Sequence, residues 1–342
     1  MRDVLLVLVF SVHLLLVNVA MAAPLVALAL KVRQLRDNDA VAGALGLELS
    51  QLALSCLVWG SLLGGVLLGM IWLADSHPYL DGLAAVPGSR YWFGLLELLF
   101  YAGCMVVLIR LWKLSPARRF AIYLLAVLAA TDLMFHFPPL FTIVAVAARR
   151  PDLAGHTIDR STYYRLLLDA EVLSRVLHVW LASLAVTGMA LCLLAARRRG
   201  RQQSSSAQES TEGAQRMVRW GARLALTASV AQIPVGLYVL YALPNSVWGT
   251  LMGDDLLATT MFGISILLNF HLINRLAAIS LGDSGDSRLR SAAWSMSLIV
   301  LLMTGSLHRA QSLGASTRSV TTEVHPPLGS LFQGAPRDSR NR

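Results

Sequence analysis

Among the side chains inside apolar stretches of this sequence, five stand out as able to bind a metal or carry a proton: His13, Glu97, His136, His178 and Met261. In a hydrocarbon setting a charged residue costs about 2.5–3.5 kcal/mol on insertion scales, so each such group is a functional candidate by default. Neutral imidazole ligates haem iron well, and methionine opposite histidine gives a low-spin electron-transfer centre. On type alone, His13 and His178 are candidate axial ligands, Met261 a candidate opposite ligand, and Glu97 a candidate proton carrier. His136 stands beside Pro138 and Pro139, so its ring could equally bond a carbonyl that the prolines free. A solitary methionine such as Met261 also has an ordinary role as core filler. Asp132 reads as a hydrogen-bond partner, and Glu171 with Arg175, four residues apart, as a helix ion pair. His271 and His308 read as helix-packing and interfacial histidines; His77, His156 and His325 fall in loops.

The elements that must hold these groups follow from composition. Of 342 residues, 56% are hydrophobic and only 14% are charged, with mean hydropathy +0.59. Soluble domains carry roughly 25% charged residues. A 30 Å hydrocarbon core needs ~20 apolar residues in a helix. Runs near 4–31, 48–74, 91–113, 119–147, 169–196, 217–243, 254–276 and 290–308 meet that length. The fold class expected is therefore all-α, a polytopic membrane bundle of about eight transmembrane helices. The first run is not a signal peptide in pattern: Arg2 is followed at once by Asp3, while Lys31, Arg33 and Arg36 come after the run. The net charge of +9 does not point to nucleic acid, because its Lys and Arg residues gather at the ends of apolar runs.

Those basic residues set orientation. Lys31, Arg33 and Arg36 follow the first span; Lys113, Arg118 and Arg119 the third; Arg197, Arg198, Arg199, Arg201, Arg216 and Arg219 the fifth; Arg275, Arg288 and Arg290 the seventh. By the positive-inside rule these loops are cytoplasmic and both termini lie outside. The fourth loop breaks the pattern, with Arg149, Arg150, Arg160 and Arg165 against Asp152 and Asp159. At ~1.5 Å per residue, His13, Glu97, His136, His178 and Met261 then fall in the outer half of the bilayer, while His271 lies in the inner half. Small residues follow His178 (Ala182, Ser183, Ala185, Gly188, Ala190), suited to a porphyrin wall, and Gly60, Gly64, Gly65 and Gly69 give the second span a face for close packing. Cys56, Cys104 and Cys192 form no Cys-x-x-Cys motif and read as buried apolar residues.

The chain divides into a five-helix part (1–199), a polar cytoplasmic linker (200–216), a three-helix part (217–309) and a disordered external tail (310–342). No internal repeat of the transporter kind is visible.

Taken in order, the motifs resemble the haem-bearing subunit I of cytochrome bd-type quinol oxidases. His13 with Leu-Leu-Leu-Val resembles that family's first-span ligand helix. Leu96-Glu97-Leu-Leu-Phe-Tyr-Ala-Gly, running to Arg110-Leu-Trp, is similar to its third span. Leu177-His178 followed by Ala-Ser and Val-Thr-Gly resembles the helix of the low-spin haem b. Met261-Phe-Gly-Ile resembles the opposite-ligand segment, and Gln232-Ile-Pro-Val-Gly236 the stretch before the quinol loop. The resemblance implies one or two haems b, with iron ligated by His13, His178 and Met261 and His136 as a further cofactor candidate; haem d at His13 stays open. It also implies Glu97 on a proton path or beside a propionate, and the bilayer with a second membrane subunit or cytochrome partner. A quinol as partner and a bacterial plasma membrane as location follow too. Departures are informative. The external loop is reduced to 244–254, the Gly-Arg-Gln-Pro-Trp segment and its glutamate ligand have no counterpart, Ser89 stands where a second acid is expected, and Thr259 and Thr260 replace an arginine. Oxygen reduction by this chain alone is therefore expected to be absent or weak. Two other classes stand beside electron transfer: a transporter or proton/cation channel using Glu97, Asp132 and His136, and a non-catalytic assembly subunit.

Overall fold

Long apolar runs without competing strand signals have one way to satisfy their backbone in lipid, which is to coil into helices. The computed structural model describes residues 2–73, 77–112, 119–150, 153, 156–202 and 208–324, and among them there is no strand. The helices are α1 (Arg2–Asp37), α2 (Ala40–Leu73), α3 (His77–Ala85), α4 (Gly88–Leu111), α5 (Arg119–Ala147) and α6 (Arg160–Leu167). Then come α7 (Ala170–Gln202), α8 (Gln208–Tyr241), α9 (Asn245–Gly249), a π turn (Thr250–Asp254), α10 (Leu256–Leu281) and α11 (Asp286–Val324). Eight of these, α1, α2, α4, α5, α7, α8, α10 and α11, are long and apolar enough to cross a membrane. The chain is an integral membrane helix bundle, as its composition requires. Prolines 24, 138, 139 and 234 all sit inside helices. In one case the carbonyl of Met134, left free by the missing N–H of Pro138, accepts from the Trp180 indole N–H at 2.8 Å, the kind of repair such helices use.

α1 lies at the centre, packing on α2, α5, α7 and α11, and α7 with α8 is the most extensive pair. The pairing of α7 with α8 joins the two sides of the polar linker into one bundle. Both helices also run into that linker, to Gln202 and from Gln208; residues 203–207 lie outside the described residues, as do Lys113, Arg118, Asp152 and His325. α11 runs to Val324, with no proline before Pro326 to stop it. Residues 325–342 lie outside the described set.

The end of the bundle where α1 begins is called upper below. Gly305 of α11 stands against Val7 of α1, so the start of α1 and the later part of α11 share that end, which the charge pattern of the loops places outside. At the opposite end Lys31 is buried, 6% exposed. Its ammonium donates to the Trp112 carbonyl at 3.0 Å and to Gln34 Oε1 at 3.1 Å. A cation on the last carbonyls of α4 complements the helix dipole. Trp112 returns the bond to α2, its indole N–H donating to Gly43 O at 3.0 Å. A Cβ at Gly46 would meet that indole ring at 2.6 Å. Lys31 therefore ties three helices together as well as adding to the basic charge that follows the first span.

At the upper end Asp255 caps α10, accepting from the N–H of Ala258 at 2.8 Å. It also takes both arms of Arg309 at 2.6 and 2.7 Å. The Arg309 hydrogen bonds, and then the Ala258 N–H, pull this carboxyl down to about 2. The folded value lies below the unfolded one, so the stabilisation is present above pH ~4 and is lost as pH falls toward 2. Asp255→Asn keeps a capping oxygen but loses the bidentate pair. The variant should melt below the wild type at pH 7 in detergent, and that gap should narrow from pH 4 downward; a gap independent of pH would exclude the ion pair as its source.

Candidate functional site

Hydrogen bonds to α1 and between neighbouring spans fix relative depth. Tyr101 donates to Ala20 O at 2.6 Å and Trp112 meets Lys31, so α4 and α1 run parallel in step. Glu97 thus lies one turn above Tyr101. On α7, Thr187 donates to Asn18 O at 3.4 Å, which puts His178 near the level of the ninth residue of α1. On α10, Met261 Cε would lie 2.3 Å from a Cβ at Gly305, a glycine whose other neighbour is Val7. His178 and Met261 therefore differ in depth by about two residues, or ~3 Å. His136 joins the same level: the Trp180 indole N–H donates to Met134 O at 2.8 Å, and His178 and His136 each sit two residues above that bond. His13 is about one turn lower. The five candidates form a layer about nine residues deep, ~14 Å, from the level of Val7 (Met261) to that of Leu16 (Glu97), while His271, beside Ser291 and Arg275 at 3.3 Å, lies ten residues below Met261, close to the level of Glu97.

Within the layer the rings are held differently. The Nδ1 of His13 is 2.8 Å from the carbonyl of Gly60. A carbonyl only accepts, so Nδ1 carries the hydrogen and a neutral ring presents Nε2 with its lone pair free. This is how ligating histidines are usually oriented. Phe10 stacks on the ring at 6.2 Å, and Gly64 leaves it room, since a Cβ there would be 3.2 Å from His13 Cε1. His178 has a buried Nδ1 with no hydrogen-bond partner, an unusual cost inside a protein. α7 packs on α8, α1 and α5, whereas α10 packs chiefly on α11 and α8, so His178 and Met261 belong to helices that are not principal neighbours.

His136 is placed otherwise. Its Nδ1 stands 2.7 Å from Glu97 Oε2, and its Nε2 is buried with no partner, at 3.3 Å from where a Cβ of Gly94 would be. The ring tip rests on the α4 backbone. Asp132, one turn below on α5, also has a buried, unpartnered oxygen. Glu97, His136 and Asp132 therefore form one polar cluster between α4 and α5. The small residues after His178 are not all a wall: Gly188 faces α8, where a Cβ would lie 2.8 Å from Ala225 N and Gly221 O.

Above the layer lies a cluster that spacing alone did not assemble. Arg175 Nη2 donates to Glu171 Oε1 at 2.7 Å, and Arg149, arriving from beyond α5, donates to the same oxygen. Arg150 pairs with Asp169 at 2.5 Å. Burial pushes the Asp169 carboxyl up, but hydrogen bonds from Arg150 and the Glu171 N–H hold it below its usual value. Arg90 lies 4.0 Å over the Tyr163 ring, and Asp159 caps α6 at Thr162 N, 2.9 Å, its carboxyl drawn to about 2 by Thr162 and Ser161. The signal for this cluster was the fourth loop, the one place where basic residues broke the alternation of charge.

No protein-family model matches this sequence, and no curated protein matches it. Among solved structures the chain is similar to the bd oxidase from Geobacillus thermodenitrificans, with TM-score 0.68 and 13% identity over 91% of this chain and 87% of that one. At that identity the likeness establishes a shared helix-bundle fold.

Proposed function

We propose that this chain is a haem b-binding electron-transfer subunit of a respiratory membrane complex, located in a bacterial plasma membrane. The observation that carries the reading is His13, whose Nδ1–H is spent on Gly60 O and whose Nε2 is thereby poised to ligate. His178, with its orphaned ring nitrogen, and Met261 at nearly the same depth supply a second, His/Met ligand set. Bound haem would supply one-electron iron chemistry. The Gly60 carbonyl fixes the His13 tautomer, and the bundle keeps His178 Nδ1 away from any hydrogen-bond partner. The likeness in fold to a bd oxidase supports this reading. His136 is assigned to Glu97 and not to iron, because its free edge rests on Gly94. α4 turns Trp92, Phe93, Leu96 and Leu99 outward, a face suited to a second membrane subunit.

The contact between Glu97 and His136, with Asp132 below, favours a second reading as an intramembrane proton or cation relay. A reduced-minus-oxidised visible spectrum of the purified protein separates the two. Haem b bands support the first reading, and their absence from protein expressed with adequate haem supply would leave the relay.

A further inference from the structure

We propose that Arg175 binds a haem propionate above His178, an inference that rests on the haem reading just given. Arg175 precedes His178 by three residues on α7, so it stands about 4.5 Å higher on nearly the same helix face. Its side chain is 13% exposed, and its Nε is buried with no partner. Among the described residues its one acid partner is Glu171, at 2.7 Å, and the bonded oxygen of that carboxylate is shared with Arg149. A buried guanidinium that owns half of one acceptor is under-satisfied. Guanidinium groups present five donors in a planar fork that matches a carboxylate bidentately.

The other cations at this end are engaged elsewhere. Arg150 has Asp169, Arg309 has Asp255 on both arms, and Arg90 covers the Tyr163 ring. Haem carries two carboxylates that must be neutralised or hydrogen-bonded when the macrocycle enters an apolar bundle. A haem ligated by His178 with its carboxylates directed toward the upper end would meet Arg175 first. The role is that of a binding and positioning residue, with Glu171 holding the fork in place.

The test uses the full chain with haem bound, compared as wild type, Arg175→Gln, Arg175→Lys and Glu171→Gln. Positive charge beside the iron favours the ferrous form. Arg175→Gln should therefore lower the midpoint, changing the ferric-to-ferrous ratio about tenfold at fixed potential, or ~59 mV for one electron. Glu171→Gln should move it the other way. Charge at a distance would produce those signs too, so resonance Raman of the propionate bending band decides contact. The band should shift in both Arg175 variants, including Arg175→Lys, where the charge and most of the midpoint are kept but the fork is lost. An unchanged band in Arg175→Lys, or in Arg175→Gln, would overturn the proposal. If Arg175→Gln fails to accumulate, Arg175→Lys carries the test alone. Wild-type protein without a haem spectrum would bring down the haem reading itself, whereas a haem spectrum with unmoved bands brings down only this inference.

Discussion

Replacing His178 with alanine should abolish the low-spin haem spectrum while leaving the bundle assembled. The ring is half-buried, and its Nδ1 makes no hydrogen bond that the fold depends on. α7 keeps its other anchors: Trp180 to Met134 O at 2.8 Å, Thr187 to Asn18 O at 3.4 Å, and the close contact with α8. Losing a direct ligand removes a site, whereas losing a supporting group tunes it. Met261→Leu should therefore behave differently from His178→Ala. Leucine nearly conserves volume but cannot ligate, so haem should remain on His178 with a shifted, higher-spin spectrum. His136→Ala should leave the low-spin bands in place, because that ring serves Glu97. Added imidazole should restore part of the spectrum in His178→Ala. A wild-type spectrum from His178→Ala would remove His178 from the ligand set and with it the central part of the proposal.

The fold was almost wholly legible in sequence because lipid imposes length, apolarity and helicity together. Each apolar run of twenty or more residues became a spanning helix, and boundaries moved mainly where amphiphilic segments let a helix continue past the bilayer, as α7 does to Gln202 and α11 to Val324. Depth follows from sequence only to within a turn or two: a helix converts residue number to height, but the stagger between helices puts Glu97 and His271 at nearly one level. Azimuth does not follow. Which way a side chain points depends on helix rotation, and no spacing rule tells Gly188 that it faces α8 or His136 that it faces Glu97. Lys31 shows the same limit: its charge announced a cytoplasmic end, but its burial against Trp112 O depends on three helices converging. The Arg149 contact to Glu171 crosses 22 residues through a loop, beyond the reach of any four-residue pattern. Only the loop's unexpected positive charge hinted at it.

Gly188→Val should cost more stability than Gly200→Val, the change at the other glycine of α7, where an added carbon meets nothing within 4 Å, and should drag the haem site with it. A Cβ at Gly188 would lie 2.8 Å from Ala225 N and 2.8 Å from Gly221 O, and the reciprocal Cβ at Gly221 would lie 2.8 Å from Gly188 O. All three are backbone atoms, so no side chain can swing aside. Small residues at such crossings let helices approach closely, which drives association where lipid removes the hydrophobic force. Overpacking of this kind costs roughly 1–3 kcal/mol, occasionally more, and valine adds two methyl groups beyond the clash that alanine already makes. The relief available is to push α7 from α8, and a rigid helix carries His178, ten residues away, with it. The expected order of melting temperature in detergent is wild type, then Gly188→Ala, then Gly188→Val, with the low-spin spectrum weakening in the same order. Gly65→Ala on α2, where nothing lies within 4 Å of the added carbon, should match the wild type in both measurements. If Gly188 instead lined a porphyrin, valine there would perturb the spectrum and leave the melting temperature of the haem-free protein unchanged. That outcome would return Gly188 to the pocket wall and remove the crossing from the account of how α7 is held.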